Sequence, residues 1–293
     1  MIQETVKEIG SCAFELQLQR DALIRHQRRV RSSQLLILFG RCVVIVGTLL
    51  FWELGSGRFF DPFFISSPSA VAQAMVRLFV EERALLHIRF TVTEMSLGYL
   101  FGATAGVIVA LLLTIREEVY IILEPIILAV YGIPRIALAP LIIMWFGIGI
   151  TPKVILAALL VFFIVLVNTV SGIRAMDPWL IYVSRTLGAK RWQILTKILL
   201  PSIAPYIITS LRLTLPMALL GAIVGEFISA NRGMGFLISK ASNALDTSLA
   251  IAAILVLLAV VMVLNALITL IEKRSFLWIR IKGPSDSNLI PVP

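Results

Sequence analysis

Long apolar stretches free of charge alternate along the chain with short polar segments. Residues 249–271 contain no Asp, Glu, Lys or Arg, and neither do residues 95–115. A helix needs roughly 20 apolar residues to cross the hydrocarbon core of a bilayer, so both stretches are long enough to span one. The pattern predicts about six spans, at 35–54, 88–114, 119–133, 153–172, 206–228 and 249–271. The fold class is therefore all-α, a polytopic membrane protein. Pro134, Pro140, Gly147, Gly149 and Pro152 interrupt the middle of the chain, so a broken, partly re-entrant segment is expected over 135–150. Irregular backbone at membrane depth is tolerated only inside protein or beside a water-filled cavity, which places this segment at a pore or a helix contact. Gly98, Gly102 and Gly106 lie four apart and share one helical face, where a second helix can approach closely. Ser66-Ser67-Pro68-Ser69 reads as the start of a short amphipathic helix over 70–80 on the outer face. Residues 229–248, with Gly233 and Gly235, read as a polar loop.

Composition agrees with a membrane solvent. The 293 residues are 59% hydrophobic and 15% charged, against about 25% charged in a soluble domain. The net charge of +9 would favour nucleic acid in a soluble protein, but here it is explained by basic residues at the cytoplasmic ends of spans. Residues 1–34 read as a cytoplasmic tail, residues 35–272 as the membrane domain and 273–293 as a second cytoplasmic tail. Glu4, Glu8, Glu15 and Asp21 argue against a signal peptide in the first tail. With both termini inside, basic residues on the inner side outnumber those on the outer side sixteen to eight; Lys153 is among the outer eight. Arg41 is expected to snorkel to the inner surface. Cys12 and Cys42 are not expected to pair.

One polar, basic segment stands out on the inner side, from Asp177 to Pro201. Asp177-Pro178 is a helix start, an N-cap acceptor followed by proline at the first helical position. About two turns follow, and Gly188 fits the position just past a helix end, where a left-handed backbone is easiest for glycine. A second short helix is expected over 189–199. Leu187, Ile194, Leu195 and Ile198 would share one face, with Arg185, Lys190, Arg191 and Lys197 elsewhere. On the residues alone, this is either an ordinary basic loop or a rigid helix–glycine–helix elbow.

Gly188, nine further residues and Ile198-Leu199-Leu200-Pro201 resemble the signature cytoplasmic loop of ABC importer permeases: Glu-Ala-Ala, three residues, Gly, nine residues, Ile, any residue, Leu, Pro. Residues 186–192 resemble the form in nitrate, sulfonate and taurine type permeases. The likeness runs from about Phe64 to Trp278, through Pro68-Ser69-Ala70-Val71, Ile133 to Pro140, Trp145-Phe146-Gly147-Ile148-Gly149, Asn168-Thr169, Gly225-Glu226-Phe227 and Gly233-Met234-Gly235. The chain departs at Tyr182-Val183-Ser184, where Glu-Ala-Ala is usual; the missing carboxylate removes a salt bridge and leaves the elbow.

The resemblance implies a type I importer permease in the bacterial plasma membrane, with the 177–201 segment as its coupling helix. A separate ATPase pair, carrying ATP and Mg, would dock on Arg185, Thr186, Leu187, Gly188, Ala189, Lys190, Arg191 and Trp192. Two permease copies, as a homodimer in lipid, would form the pathway, and an extracytoplasmic solute-binding protein would deliver the substrate. No cofactor or metal is implied in this chain. The phosphate-binding pattern G-x-x-x-x-G-K-[ST] is absent, so ATP hydrolysis belongs to another chain.

Two other classes compete. An intramembrane enzyme would need a nucleophile–base pair or a metal set, and the chain has only His26 and His87, with no H-E-x-x-H. A passive channel would not need the elbow. Four residues are candidates for the pathway: Arg212, Glu226, Asn168 and Trp145. Arg212, inside the fifth span, either stabilises an anion in transit or pairs near the inner end. Glu226 reads as a structural hydrogen-bond group or a substrate contact. Asn168 is expected to bridge helices, Trp145 and Phe146 to pack, and Glu94 to face water. Arg212 and the basic balance point to a small anion such as nitrate, bicarbonate, a sulfonate, taurine or an organic acid.

Overall fold

The computed structural model describes residues 37–275, apart from 38, 60 and 116. Cys12, the tail 1–34 and most of the tail 273–293 lie outside the described residues. The chain forms two compact units, Met1–Ser69 and Ala70–Pro293.

In the first unit, helix α1 (39–55) occupies the place of the first predicted span, with Cys42 exposed as a free thiol. Asp61 caps the short α2 (Pro62–Ile65) by accepting from the Phe63 amide at 2.9 Å, with Pro62 at the first position. The Glu53 carboxylate accepts from the Ser69 amide at 3.0 Å and its hydroxyl at 2.7 Å. These bonds satisfy donors left over where α3 (Pro68–Val80) begins.

The second unit is built on α4 (Ala84–Leu113), α7 (Ile150–Arg174) and α10 (Leu200–Ser229). Helices α4 and α7 run parallel, and the predicted glycine face is their contact. A Cβ at Gly98 would collide with Ala157, one at Gly102 with the Ala158 carbonyl, and one at Gly106 would lie 2.8 Å from the Phe162 carbonyl. Helix α10 packs antiparallel on α7 in the same way: Gly221 lies against Ala157 and Gly225 against Lys153. Met95, Leu156, Val161, Val165, Leu215 and Leu219 fill the remaining space.

Among the described residues, four helices are long and apolar enough to cross a membrane: α4, α7, a continuous helix over Arg191–Ser229 and most of α12 (Thr247–Ser275). A fifth candidate is a bent pair, a broken span or a re-entrant loop, so the expected third span 119–133 is long enough only together with the broken segment after it. Helix α5 (Glu117–Gly132) stops at Ile133-Pro134, a 3-10 turn follows over Arg135–Leu138, and α6 (Ala139–Phe146) leaves at 77°. The predicted interruption is therefore real, and its cause is local. Pro134 lacks the amide that would continue α5, and Pro140 sits in the first turn of α6, where proline is tolerated.

Two expectations fail here. The polar loop 229–248 contains α11 (Met234–Asn243), which buries Met234, Leu237, Ile238 and Ala241. Two glycines hid it, yet Gly233, with φ 114°, lies just outside its first turn. The fifth span does not begin at Tyr206. Helix continues through Pro201 and Pro205, with a π turn over Leu195–Leu199 just before Pro201.

Candidate functional site

The elbow forms at one end of the three-helix core. Asp177 accepts from the Trp179 amide at 2.9 Å and starts α8 (Pro178–Thr186), with Pro178 in the first position. Three amides close the far end: Leu187 to the Val183 carbonyl, Gly188 to Arg185 and Ala189 to Ser184, each at 3.0 Å. Gly188 takes φ 80°, a conformation that costs other residues roughly 1–2 kcal/mol. The Lys190 amide then donates to the Gln193 side chain at 2.8 Å, opening α9 (Arg191–Ile194). The expected second helix is observed over 191–199, an α turn and then a π turn, and it runs without a stop into α10.

The apolar face differs from the expected ridge. Ile194, Leu195 and Ile198 are half-buried. The exposed apolar side chains are Trp179, Leu180, Tyr182, Val183, Leu187 and Trp192, with Leu187 82% exposed. Trp179 and Tyr182 stack, ring centroids 5.1 Å apart. Arg185, Lys190 and Arg191 are exposed among them.

At the opposite end of the core lies a polar network. Lys153, near the start of α7, donates to Glu94 of α4 at 2.8 Å, with both side chains buried. Glu226, near the end of α10 and 1% exposed, accepts from the Thr91 hydroxyl at 2.7 Å and the Gly235 amide at 2.6 Å. The Met234 amide donates to Thr91 at 2.8 Å, and the Gly233 amide to His87 Nδ1 at 3.0 Å. A Cβ at Gly233 would overlap the Glu226 carboxylate. The network therefore clamps the start of α11 onto α4 and α10. Glu94 was expected to face water and Lys153 to sit among exposed outer charges; both are buried. Glu94 falls one helical turn before Gly98, on the face that meets α7, and each residue neutralises the other there.

Lys153 and Arg174 are 21 positions apart on α7, so the network and the elbow are separated by about 30 Å, the thickness of a hydrocarbon core. Residues 102–276, more than half of the chain, match the family "Binding-protein-dependent transport system inner membrane component". The chain belongs to that family. It is a non-catalytic permease subunit of an ABC importer; ATP hydrolysis belongs to a separate chain, and the permease family carries no cofactor of its own.

The permease is 35% identical over 255 residues to the riboflavin transport permease RibX of Chloroflexus aurantiacus, covering 85% of this chain and 94% of that protein. It is 28% identical over 267 residues to the taurine transport permease TauC of Escherichia coli, covering 86% and 95%. A chain of a bacterial ABC transporter that imports the acidic polysaccharide alginate superposes with TM-score 0.60 at 17% identity, covering 86% of the permease and 99% of that chain.

The four candidate pathway residues do not come together. Glu226 is buried and bonded within the network, the structural alternative of the two weighed. Arg212 is exposed near the middle of α10, about 20 Å from Glu226 along the axis. Asn168 donates to the Ile164 carbonyl of its own helix at 2.8 Å instead of bridging to another. Trp145 and Phe146, expected to pack, are 66% and 53% exposed on α6. Among the described residues, no cluster of His, Cys, Asp and Glu is placed to hold a metal ion.

Proposed function

We propose that the elbow at 177–201 is the coupling surface of this permease, on which each ATPase of a pair docks. The observation that carries this reading is the combination of a fixed bend with exposed apolar and basic side chains. Leu187, Trp192, Trp179 and Tyr182 offer area to a partner, while Arg185, Lys190 and Arg191 supply orientation. Because Tyr182 stands where the related loops carry an acid, docking relies on shape and apolar contact. The segment is continuous with α10 over Arg191–Ser229, so a push on Trp192 moves a span directly. In this reading two copies form the pathway in the lipid of a bacterial plasma membrane, and both termini are cytoplasmic. An extracytoplasmic solute-binding protein feeds the outer end, and ATP and Mg reside on the partner ATPase.

The substrate in this reading is a small anion, of the nitrate, bicarbonate, sulfonate, taurine or organic-acid kind. Relatives named for taurine and sulfonate transport support it. A planar heteroaromatic is the second reading, favoured by the 35% identity to a riboflavin permease. Purification of the tagged permease from native membranes tests the coupling surface. An ATPase is expected to accompany the unaltered chain and to be lost from Gly188→Arg, with the permease itself still present in the membrane. Retention of the ATPase and of ATP-driven uptake in Gly188→Arg contradicts the reading.

A further inference from the structure

We propose that Arg135 receives the transported solute at the membrane midplane, and that the group it takes is a small oxyanion such as a carboxylate, a sulfonate or nitrate. The proposal rests on the reading of this chain as the translocation pathway and adds a recognising residue to it.

Depth is the first support. The Arg135 guanidinium lies 5.7 Å from the ring centroid of Phe163. Phe163 is in the middle of α7 (Ile150–Arg174), so the cation sits close to half-way across the span. Position in the backbone is the second. Arg135 opens the 3-10 turn at the 77° break between α5 and α6, and solute sites of membrane transporters form where helices are discontinuous near the midplane. The neighbouring Ile136 is 42% exposed, so the break presents surface and is not sealed in the core.

The third support is what the guanidinium lacks. Charges at membrane depth are costly and are normally paired. Lys153 has Glu94, and Arg174 at the inner end has Glu124 at 3.1 Å. Among the described residues Arg135 has no carboxylate. Its face lies over the Tyr131 ring at 4.7 Å, and Nη1 is buried without a hydrogen-bond acceptor. The two rings satisfy the face of the cation and leave the in-plane Nη1 without an acceptor. A planar fork of donors carrying a full positive charge fits the oxygens of a carboxylate, sulfonate or nitrate.

Selective thiol modification tests this without knowing the natural solute. A cysteine is introduced by Ile136→Cys in a full-length Cys12→Ser/Cys42→Ser background, in membranes with the ATPase present. Its reaction rates with sulfonatoethyl and trimethylammonioethyl methanethiosulfonate are measured, each divided by the rate with a free thiol. The anionic reagent is expected to be favoured. Arg135→Gln is expected to lower the anion-to-cation ratio about tenfold, as loss of a unit charge at close range requires, and Arg135→Lys to restore most of it. An unchanged ratio in Arg135→Gln overturns the proposal, as does a cysteine that reacts with neither reagent. Co-purification of the ATPase with the same variants reports separately on the coupling reading, so the two can fail independently.

Discussion

Glu94, Lys153 and Glu226 are charged residues that a membrane protein keeps only where each is neutralised or fully bonded. Glu94 and Lys153 meet at 2.8 Å in a buried pair. Removing one member of such a pair leaves the other uncompensated, typically at about 3–5 kcal/mol. Lys153→Met and Glu94→Gln are each expected to lower the unfolding temperature in detergent markedly, whereas the double change Glu94→Leu/Lys153→Met is expected to recover most of the loss. Equal damage from the single and double changes would show that the pair does not act as a unit. Glu226 accepts from two donors, the Thr91 hydroxyl and the Gly235 amide, on α4 and at the start of α11. Glu226→Ala is expected to free the start of α11 and to expose Gly233–Gly235 to protease in right-side-out vesicles. Glu226→Gln keeps one acceptor oxygen and is expected to be milder. The signal for this network was present in the sequence and was not used. His87, Thr91, Glu94 and Gly98 continue the one-turn spacing of Gly98, Gly102 and Gly106. A polar row on a close-packed face indicates burial, whereas the place of Glu94 at the start of the second span suggested water.

At the scale of elements, apolar run length located four of the six expected spans, because it reports burial in lipid or protein directly. The break was legible for the same reason in reverse, since Pro134 cannot complete a helical ladder. Helix α11 was not legible, because its ten residues are flanked by turn residues and bury only one face. The end of the fifth span was also misplaced: helix runs through prolines that sequence rules read as breaks. Two elements give direct tests. Gly102→Val places a branched side chain against the Ala158 carbonyl and Val161, and is expected to part α4 from α7 and reduce the yield of folded protein in detergent; Gly132→Val, with open space around it, is expected to do far less. At the elbow, Gly188→Ala keeps the side chain small but must hold φ 80°. That strain, about 1 kcal/mol, is expected to weaken ATPase retention several-fold in a salt-wash assay without abolishing it. The elbow itself was legible down to its cap and its glycine. Which apolar side chains it exposes was not, because that depends on how α9 merges into α10.

At the scale of the molecule, coupling requires that a displacement at one end reach the other as a rigid movement. The helix over Arg191–Ser229 runs without a stop from beside the elbow to the Glu226 network. Close glycine contacts lock α7 to both α4 and α10, so the three helices are expected to rock together. The broken α5–α6 segment is the part of the core least tied by such contacts, and it carries Arg135. In the proposed reading the permease is a lever, with the elbow as docking surface at one end, a charge-stabilised clamp at the other and a discontinuous helix between them. Site-directed cross-linking in native membranes tests the central claim most directly. Single cysteines from Leu187→Cys and Trp192→Cys, in a background lacking Cys12 and Cys42, are expected to cross-link to an ATPase chain with a pattern that changes on ATP binding. A cysteine from Asn231→Cys, beyond the end of α10, is expected to give no such product. An elbow that cross-links to no ATPase at either position, while the protein still drives ATP-dependent uptake, would contradict the account.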